Sequence, residues 1–297
     1  MKKNLISVII NCYNGEKYLQ KTLESLLGQK LKNFEVIFVD NCSTDKSAII
    51  FKRIKDKRFR YYKTKKKIKL YASRNFALTK TKGDFISFLD VDDWWDNNFL
   101  SSRKKFFLSS KNYGFSFSNC LHYHENSKKF SPFSKNNLPS GFILDNLLKY
   151  YFVKLSTIII KKKIILTYKF NPNYNIIGDY DFVIRIAKQF KGMGFQNKLV
   201  NIRIHSNNFT HNNRQMFYKE FKNWIKCQNF NDMYFKKNQF ILMQKLEYLR
   251  LIYLLLHKKR FNLFYDIIKI PFFLKKLKLL TIYFLPSFAV KIIKNFF

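Results

Sequence analysis

Near its start the chain reads Leu5-Ile-Ser-Val-Ile-Ile-Asn-Cys-Tyr-Asn-Gly15, a run that is almost wholly apolar for six residues and then polar up to a glycine. An apolar run of this length is typical of a strand buried on both faces of a sheet. The polar residues and the glycine indicate a turn. Apolar residues at helical spacing follow between Tyr18 and Leu27. The segment therefore predicts a buried strand that leads through a turn into a helix.

The same alternation continues along the next seventy residues. Further strands are predicted over residues 34–39, 59–62 and 85–89, and a helix is predicted over residues 71–81. Strands that alternate with helices imply right-handed crossovers and a mainly parallel sheet. The predicted fold class is therefore α/β, a Rossmann-like, mainly parallel sheet flanked by helices.

Polar clusters follow three of these strands, at residues 11–14, 40–45 and 90–93. Ligands of open parallel sheets bind beyond the carboxyl ends of the strands, where loops and helix N-termini converge. We therefore expect the three loops to face one cleft.

The second half of the chain changes character near residue 211. Residues 114–211 show mixed strand and helix signals, including a helix predicted over residues 179–190, and they are expected to complete the site. Beyond Arg214 the sequence consists of long helical stretches rich in Lys, Phe, Leu and Ile. We predict one domain over residues 1–211 and a helical, basic and apolar extension over residues 212–297.

Composition excludes several classes of protein. The chain has 297 residues, 47% of them hydrophobic, which excludes a disordered protein despite a formal net charge of +37. Only 10 of the 56 basic residues are arginine, and no nucleic-acid motif accompanies the charge, so we predict no nucleic-acid partner. The four cysteines form no C-x-x-C pair, which favours a reducing, cytoplasmic location without a disulfide framework or zinc knuckle.

Two C-terminal segments, residues 272–280 and 290–297, mix apolar and basic residues. No run approaches the ~20 apolar residues of a membrane-spanning helix. A helix of this composition suits the surface of an anionic inner leaflet. Packing on the catalytic domain or on a second chain is the equal alternative, so a peripheral membrane location stays open here.

Three carboxylates crowd the segment Asp90-Val-Asp-Asp93, in a chain with only 19 acidic residues. Such a group repels itself unless a cation or hydrogen-bond donors intervene. Mg²⁺ and Mn²⁺ prefer oxygen ligands and are often held by one or two carboxylates together with substrate phosphates. The segment therefore favours a divalent metal site. The alternative is a solvated turn before a helix, with Asp96 as its cap.

An ordered set of motifs resembles the glycosyltransferase family 2 enzymes of GT-A fold, which transfer a sugar from a nucleotide sugar with inversion. The set comprises Ser7-Val-Ile-Ile-Asn-Cys-Tyr-Asn14, Val39-Asp-Asn-Cys-Ser-Thr-Asp45, Ser73-Arg-Asn75, Phe88-Leu-Asp-Val-Asp-Asp-Trp-Trp95, Gly178-Asp-Tyr-Asp-Phe182 and Arg203-Ile-His-Ser-Asn-Asn208. The resemblance covers about residues 5–208. Each fragment alone is weak, whereas the order of the set is specific.

The resemblance implies a role for each matching residue. The nucleotide sugar would be bound by Cys12, Tyr13, Asp40, Ser43, Arg74, Asp90 and Val91. Asp92 would hold Mn²⁺ or Mg²⁺ on the diphosphate, and His205 would complete that site. Asp179 would be the general base that deprotonates the acceptor hydroxyl, with Asp181 as the fallback.

Several of these residues could instead have a purely structural role. Arg74 could be a surface ion-pair residue, Tyr13 a core residue and His205 a structural histidine. Ser43 and Asp179 could simply cap helices.

The chain also departs from the family pattern at three places. Asn11 replaces a common proline, and Asn41-Cys42 replaces a frequent Asp-Gly pair. Gly178 stands where a second acid often precedes the base, which weakens the assignment of Asp179 most.

The sequence thus predicts an inverting, metal-dependent glycosyltransferase. It would use a nucleotide sugar, UDP-linked by preference, and a glycan or lipid-linked acceptor in surface polysaccharide or glycolipid assembly. Two rivals remain at this point. One is a catalytically idle protein of the same fold that binds a membrane or a partner, and the other is a nucleic-acid binder driven by net charge.

Overall fold

The structure is a computed structural model that describes residues 4–256 and 262–286. Contacts divide the chain into two compact units, one that ends at His205 and one that begins at Ser206. The predicted boundary lies near residue 211. The C-terminal segment 290–297, for which an interfacial helix was predicted, lies outside the described residues.

The first half of the N-terminal unit alternates strands and helices. In chain order it contains β1 (Ile6–Cys12), α1 (Glu16–Leu27), β2 (Phe34–Asp40), α2 (Ser47–Lys52), β3 (Phe59–Lys63), α3 (Leu70–Leu78), β4 (Phe85–Phe88), β5 (Trp94–Trp95) and α4 (Phe99–Ser109). The strands and helices predicted over this part of the chain are confirmed to within a few residues.

The second half of this unit is more irregular. It contains β6 (Tyr113–Ser118), β7 (Leu121–His124), β8 (Lys129–Pro132), α5 (Leu144–Lys149), a 3₁₀ helix (Leu155–Thr157), β9 (Ile159–Lys161), α6 (Lys162–Tyr168), α7 (Gly178–Ala187), β10 (Lys191–Phe195) and β11 (Val200–Ile204). The predicted helix over residues 179–190 corresponds to α7.

Seven strands form the main sheet in the order β10-β6-β9-β4-β1-β2-β3. All neighbours are parallel except β9, which runs antiparallel to both β4 and β6. A second sheet of four strands has the order β5-β11-β7-β8. The predicted α/β class with a mainly parallel sheet is confirmed.

The core explains why the first strands are so apolar. Every residue of β2 is buried, and so is nearly every residue of β1, because helices cover both faces of the sheet. Helix α1 packs through Leu19, Leu23 and Leu26, which lie on one helical face. The register of β1 and β2 places Cys12 beside Asp40 at the carboxyl edge of the sheet.

The second unit is helical. It contains α8 (Phe209–Asn212), α9 (Arg214–Lys226), α10 (Met233–Leu256), α11 (Phe264–Ile268) and α12 (Phe273–Phe284). Its own core includes Leu251, Leu255, Ile267, Leu279 and Ile282. Within residues 4–256 and 262–286, none of the helices is both long and apolar enough to cross a bilayer.

Candidate active site

The loops that follow β1, β2 and β4 lie together at the carboxyl edge of the main sheet. The backbone N–H of Asn14 donates to Ser43 Oγ at 3.0 Å, and that of Gly15 donates to Ser47 Oγ at 2.9 Å. A Cβ on Gly15 would lie 2.6 Å from a Val91 methyl carbon, so only glycine permits this close approach. The three polar loops therefore form one continuous surface.

Asp40 is completely buried at the end of β2. One carboxylate oxygen accepts the backbone N–H of Ser43 at 2.7 Å, and the other accepts the hydroxyl of Tyr61 at 2.6 Å. Burial and this hydrogen bond raise the pKa of Tyr61, so its hydroxyl stays protonated and remains the donor. The pair of bonds fixes the Asp40 carboxylate and, through Ser43, the loop after β2.

Neighbouring Cys12 is buried, and its burial raises the pKa of the thiol. The Cys12 side chain is therefore uncharged. Its backbone carbonyl accepts the N–H of Asn41 at 2.7 Å.

A lysine loop lies over the exposed ring of Tyr13. Lys67 Nζ is 3.5 Å from the centroid of that ring. The loop is held by Asn41, whose side-chain amide donates to the carbonyl of Ile68 at 2.7 Å while its oxygen accepts the N–H of Ile68 at 3.0 Å. An aspartate could not donate the first of these bonds. The departure from the family pattern at Asn41 thus has a structural role.

Arg74 is buried on α3 and pairs with the first carboxylate of the Asp90-Val-Asp-Asp93 segment. Its guanidinium lies 2.7 Å from Asp90 Oδ1. Burial alone would lower the pKa of Arg74, but the charges of Asp90 and Asp179 raise it on balance. Arg74 is therefore a buried cation that pairs with Asp90 and interacts electrostatically with Asp179, so the alternative of a surface ion-pair residue is wrong.

Asp92 pairs with His205 at the end of β11. Asp92 Oδ2 and His205 Nε2 are 3.0 Å apart, and the carboxylate is partly exposed to the cleft. The ring of Tyr18 packs against the imidazole with centroids 4.8 Å apart. Among the described residues, no group of three or more His, Cys, Asp or Glu side chains could hold a metal ion. These two side chains would therefore need oxygen ligands from a substrate.

The third carboxylate of the segment, Asp93, is buried and faces away from these partners. It accepts the hydroxyl of Ser156 at 2.6 Å and the backbone N–H of Arg203 at 3.1 Å. Burial and the charges of Asp92 and Asp90 raise the pKa of Asp93 well above its usual value. Ser156 also accepts the N–H of Asp90 at 3.2 Å, so Asp93 and Ser156 together shape the segment.

Asp179 lies in the first turn of α7, partly buried. Its Oδ1 accepts the backbone N–H of Tyr180 at 2.8 Å and the hydroxyl of Tyr71 at 3.3 Å. Burial raises the pKa of the Asp179 carboxyl, whereas the charge of Arg74 and the bond from Tyr180 oppose that rise. The charge of Arg74, which pairs with Asp90, thus also acts on Asp179.

Gly178 explains why a second acid is missing before Asp179. A Cβ at this position would lie 2.5 Å from two carbons of the Tyr71 ring. The Tyr71 hydroxyl shares its single proton between Asp179 Oδ1 and the nearer carbonyl of Ile176, which lies 2.8 Å away, and this holds the ring in place. Tyr71 therefore occupies the space that a side chain at position 178 would need.

Asp181, the predicted fallback base, is engaged elsewhere. Its carboxylate accepts Arg185 Nε at 3.0 Å and forms an ion pair with the same guanidinium at 2.9 Å. The two residues are one helical turn apart on α7. This pairing leaves Asp179 as the carboxylate of this turn that faces Arg74 and Tyr71.

Three residues of the cleft were missed by the sequence analysis, namely Tyr71, Ser156 and Tyr151. The hydroxyl of Tyr151 is buried and has no hydrogen-bond partner within the described part of the chain. Its ring packs on Tyr180 with centroids 5.0 Å apart, and burial followed by the charge of Asp179 raises its pKa well above the usual value. Single tyrosines and serines carry no spacing signal, so only the structure could find them.

Known proteins share sequence and fold with this chain. The family model described as Glycosyl transferase family 2 matches residues 7–152. The chain is 30% identical over 252 residues to an uncharacterized glycosyltransferase of Methanocaldococcus jannaschii, covering 80% of this chain and 86% of that protein. A shorter match, 41% identical over 112 residues, covers 37% of this chain and 45% of an uncharacterized glycosyltransferase of Haemophilus influenzae.

A named relative is the UDP-Glc:alpha-D-GlcNAc-diphosphoundecaprenol beta-1,3-glucosyltransferase WfaP of Escherichia coli. It is 33% identical over 193 residues, covering 65% of this chain and 73% of that protein.

Two solved structures share the fold. Staphylococcus aureus TarS 1-349 in complex with UDP-GlcNAc has a TM-score of 0.62 at 18% identity, over 94% of this chain and 80% of that one. The mannosyltransferase PcManGT of Pyrobaculum calidifontis, in complex with GDP-Man and Mn2+, has a TM-score of 0.59 at 16% identity, over 97% of this chain and 78% of that one. At these identities the likeness shows the fold alone. Together with the family match and the relative that aligns over most of its length, it shows that the chain belongs to glycosyl transferase family 2.

Proposed function

We propose that this glycosyltransferase transfers a sugar, with inversion, from a UDP-sugar to a hydroxyl of a glycan or lipid-linked acceptor in surface polysaccharide or glycolipid assembly. The observation that carries the proposal is that the buried cation Arg74 pairs with Asp90 at 2.7 Å and also interacts electrostatically with Asp179. This cation joins the segment that would bind the donor to the carboxylate that would activate the acceptor. A donor site without a nearby base would suit a binding module better.

The donor would lie across the loops after β1, β2 and β4. Ser43 would contact the base, and Asp40, which is completely buried, would hold Ser43 in place by accepting its backbone N–H. Tyr13 and Cys12 would line the same part of the cleft, with Val91 at the turn of the next loop. The name of the E. coli relative specifies UDP-Glc, and one structural neighbour holds UDP-GlcNAc, which supports a UDP-linked donor.

The residues present fit a divalent cation. Mg²⁺ and Mn²⁺ are commonly held by one or two protein ligands while phosphate oxygens supply the rest, so Asp92 and His205 would suffice. When bound, such an ion supplies positive charge that stabilises the leaving diphosphate. Asp90 would remain paired with Arg74 and contact the ribose or the phosphates.

Asp179 would act as the general base. Inversion requires that the acceptor oxygen attack the anomeric carbon from the side opposite the diphosphate, while its proton passes to Asp179. No covalent intermediate with the protein is needed. The raised pKa of Asp179 suits a base, because a less acidic carboxylic acid has a more basic conjugate carboxylate.

We also propose the kind of acceptor and the location of the protein. A relative whose name specifies a diphosphoundecaprenol acceptor supports a lipid-linked substrate. We accordingly place the protein in the cytoplasm, at or near the inner face of the membrane, without a nucleic-acid partner.

The test compares Asp179→Asn with Asp181→Asn, a matched change on the same helix turn. UDP release from UDP-Glc and UDP-GlcNAc is measured with Mn²⁺ and membrane extract as acceptor source, and UDP binding is measured by calorimetry. We expect Asp179→Asn to lose at least about 10²-fold in turnover and to keep UDP affinity. Asp181→Asn should keep most of its turnover.

Asp92→Ala should lose the Mn²⁺ dependence of UDP binding. Full turnover of Asp179→Asn would contradict the assignment of the base. Failure of the native chain to bind any UDP-sugar would favour the catalytically idle protein instead.

A further inference from the structure

The outward face of α12 is apolar and is not covered within the described structure. Phe273 and Leu274 are 74% and 77% exposed, and Leu277 and Phe284 on the same face are also exposed. The opposite face of α12 is buried through Leu279 and Ile282, in the core of the second unit. The helix thus packs on one side and presents large apolar side chains on the other.

This face continues onto α11. Tyr265 and Ile268 are exposed there, and the rings of Phe264 and Phe284 lie 6.2 Å apart. A shallow apolar depression is lined by Leu277, Leu280, Thr281, Phe284 and Leu285. We call the exposed residues Tyr265, Ile268, Phe273, Leu274, Leu277 and Phe284 the α11–α12 patch. Contiguous exposed apolar surface of this kind marks an interaction site.

The charges around the patch are nearly all positive. Residues 262–286 contain Lys269, Lys275, Lys276 and Lys278 and a single acid, Asp266. Asp266 forms an ion pair with Arg250 at 2.5 Å, and the same guanidinium also pairs with Glu247. Lys276 and Lys278 flank the apolar face of α12 and are only partly exposed, so their stems cover apolar surface.

We propose that the α11–α12 patch docks the protein on an anionic membrane surface. Apolar side chains would enter the boundary between headgroups and acyl chains, and the flanking lysines would meet anionic headgroups, at about 1 kcal/mol for each basic residue near the surface. This inference deepens the proposed function, because a lipid-linked acceptor is held at the membrane.

Two other occupants fit less well. A second copy of the chain would bring lysines against lysines and would carry the same formal net charge of +37. A nucleic acid would satisfy the charge but would leave the large apolar side chains exposed to water. An anionic bilayer complements both features at once.

The test is cosedimentation of the full chain with two kinds of vesicle. One kind is phosphatidylcholine alone, and the other also contains about 30–40% phosphatidylglycerol, which gives a negative surface potential of tens of millivolts. Leu274→Glu is compared with Leu108→Glu, which changes an equally large exposed side chain on α4 of the first unit. We expect Leu274→Glu to lower partition by about tenfold or more, because it removes one anchoring side chain and adds a repelled charge. Leu108→Glu should partition like the native chain.

A second variant, Lys276→Gln with Lys278→Gln, should weaken binding to anionic vesicles and leave binding to neutral vesicles unchanged. All variants change exposed or partly exposed side chains, and their unfolding temperatures should match that of the native chain. Equal partition of Leu274→Glu and the native chain would overturn the proposal, as would a lack of native binding to anionic vesicles. A dimer that Leu274→Glu abolishes, without vesicle binding, would assign the patch to a second copy.

Vesicle binding needs no nucleotide and no catalysis. A chain that binds vesicles but transfers no sugar would therefore refute the proposed function alone. A chain that transfers sugar to a water-soluble acceptor but ignores vesicles would refute the docking surface alone.

Discussion

Gly178→Ala tests whether the Tyr71 ring excludes any side chain at the residue before the proposed base. The added Cβ would lie 2.5 Å from two ring carbons of Tyr71, about 1 Å closer than the ~3.5 Å at which carbon atoms attract each other. Tyr71 is 2% exposed and is held by its hydrogen bonds, so the ring cannot turn into solvent. Overpacking of this kind costs about 1–3 kcal/mol. Replacing a helical glycine by alanine stabilises the folded state by at most about 1 kcal/mol, through its higher helix propensity.

We therefore expect a net loss of about 1–2 kcal/mol in the free energy of unfolding, measured by denaturant titration of the native chain and the variant. The same change in a Tyr71→Ala background supplies the control, because the ring is absent there. In that background Gly178→Ala should cost nothing or stabilise by up to about 1 kcal/mol, so the coupling energy should equal or exceed the single penalty. The reasoning is refuted if Gly178→Ala leaves stability unchanged in the native background, or costs the same in both backgrounds.

Four further outcomes are expected from the cleft. Activity should fall as the pH drops through the pKa of Asp179, at a higher pH than the ~3.9 of an exposed aspartate, because the pKa is raised in the folded protein. Tyr71→Phe removes a hydrogen-bond donor to the ionised Asp179 carboxylate and should therefore move the acid side of the pH profile of kcat/KM to higher pH. An unchanged profile would show that Tyr71 does not affect the pKa of the base. Tyr151→Phe should raise the KM of one substrate several-fold without loss of stability, because its buried hydroxyl has no partner among the described residues, and steady-state kinetics with a thermal melt would check this. Lys67→Ala should weaken UDP binding in calorimetry, whereas Lys66→Ala, its neighbour, should not, since it is Lys67 that lies over Tyr13.

The fold could be predicted where burial imposes a simple pattern. β1 and β2 are covered on both faces, so their sequences are continuous apolar runs that stand out from the polar loops. Two short strands, β5 of the second sheet and β9 of the main sheet, could not be predicted in this way. β5 has two residues and β9 has three, and their pairing depends on partners far along the chain. Short strands carry too little periodicity to be recognised before the fold is known.

The site could be predicted as a list of acidic residues but not as a set of roles. Asp90, Asp92 and Asp93 form one cluster in the sequence, yet each has a different partner in the structure: Arg74, His205 and Ser156 respectively. These partners lie between 16 and 113 residues away along the chain, so no local spacing reveals them. The expected repulsion among the three carboxylates is relieved because each has its own partner, in addition to any bound cation.

The relation between Tyr71 and Gly178 shows how one departure from a family pattern can be accommodated. An acid that precedes the base can raise its pKa or hold the acceptor, and its absence weakened the assignment of Asp179. In this chain the space is filled by a buried tyrosine that donates to Asp179, while burial itself raises the pKa of that carboxyl. Desolvation and a like charge shift the pKa of a carboxyl in the same direction. Burial can therefore raise the pKa as the missing acid would, against the opposing hydrogen bond from Tyr71, and Asp179 can keep the basicity that the proposed reaction requires.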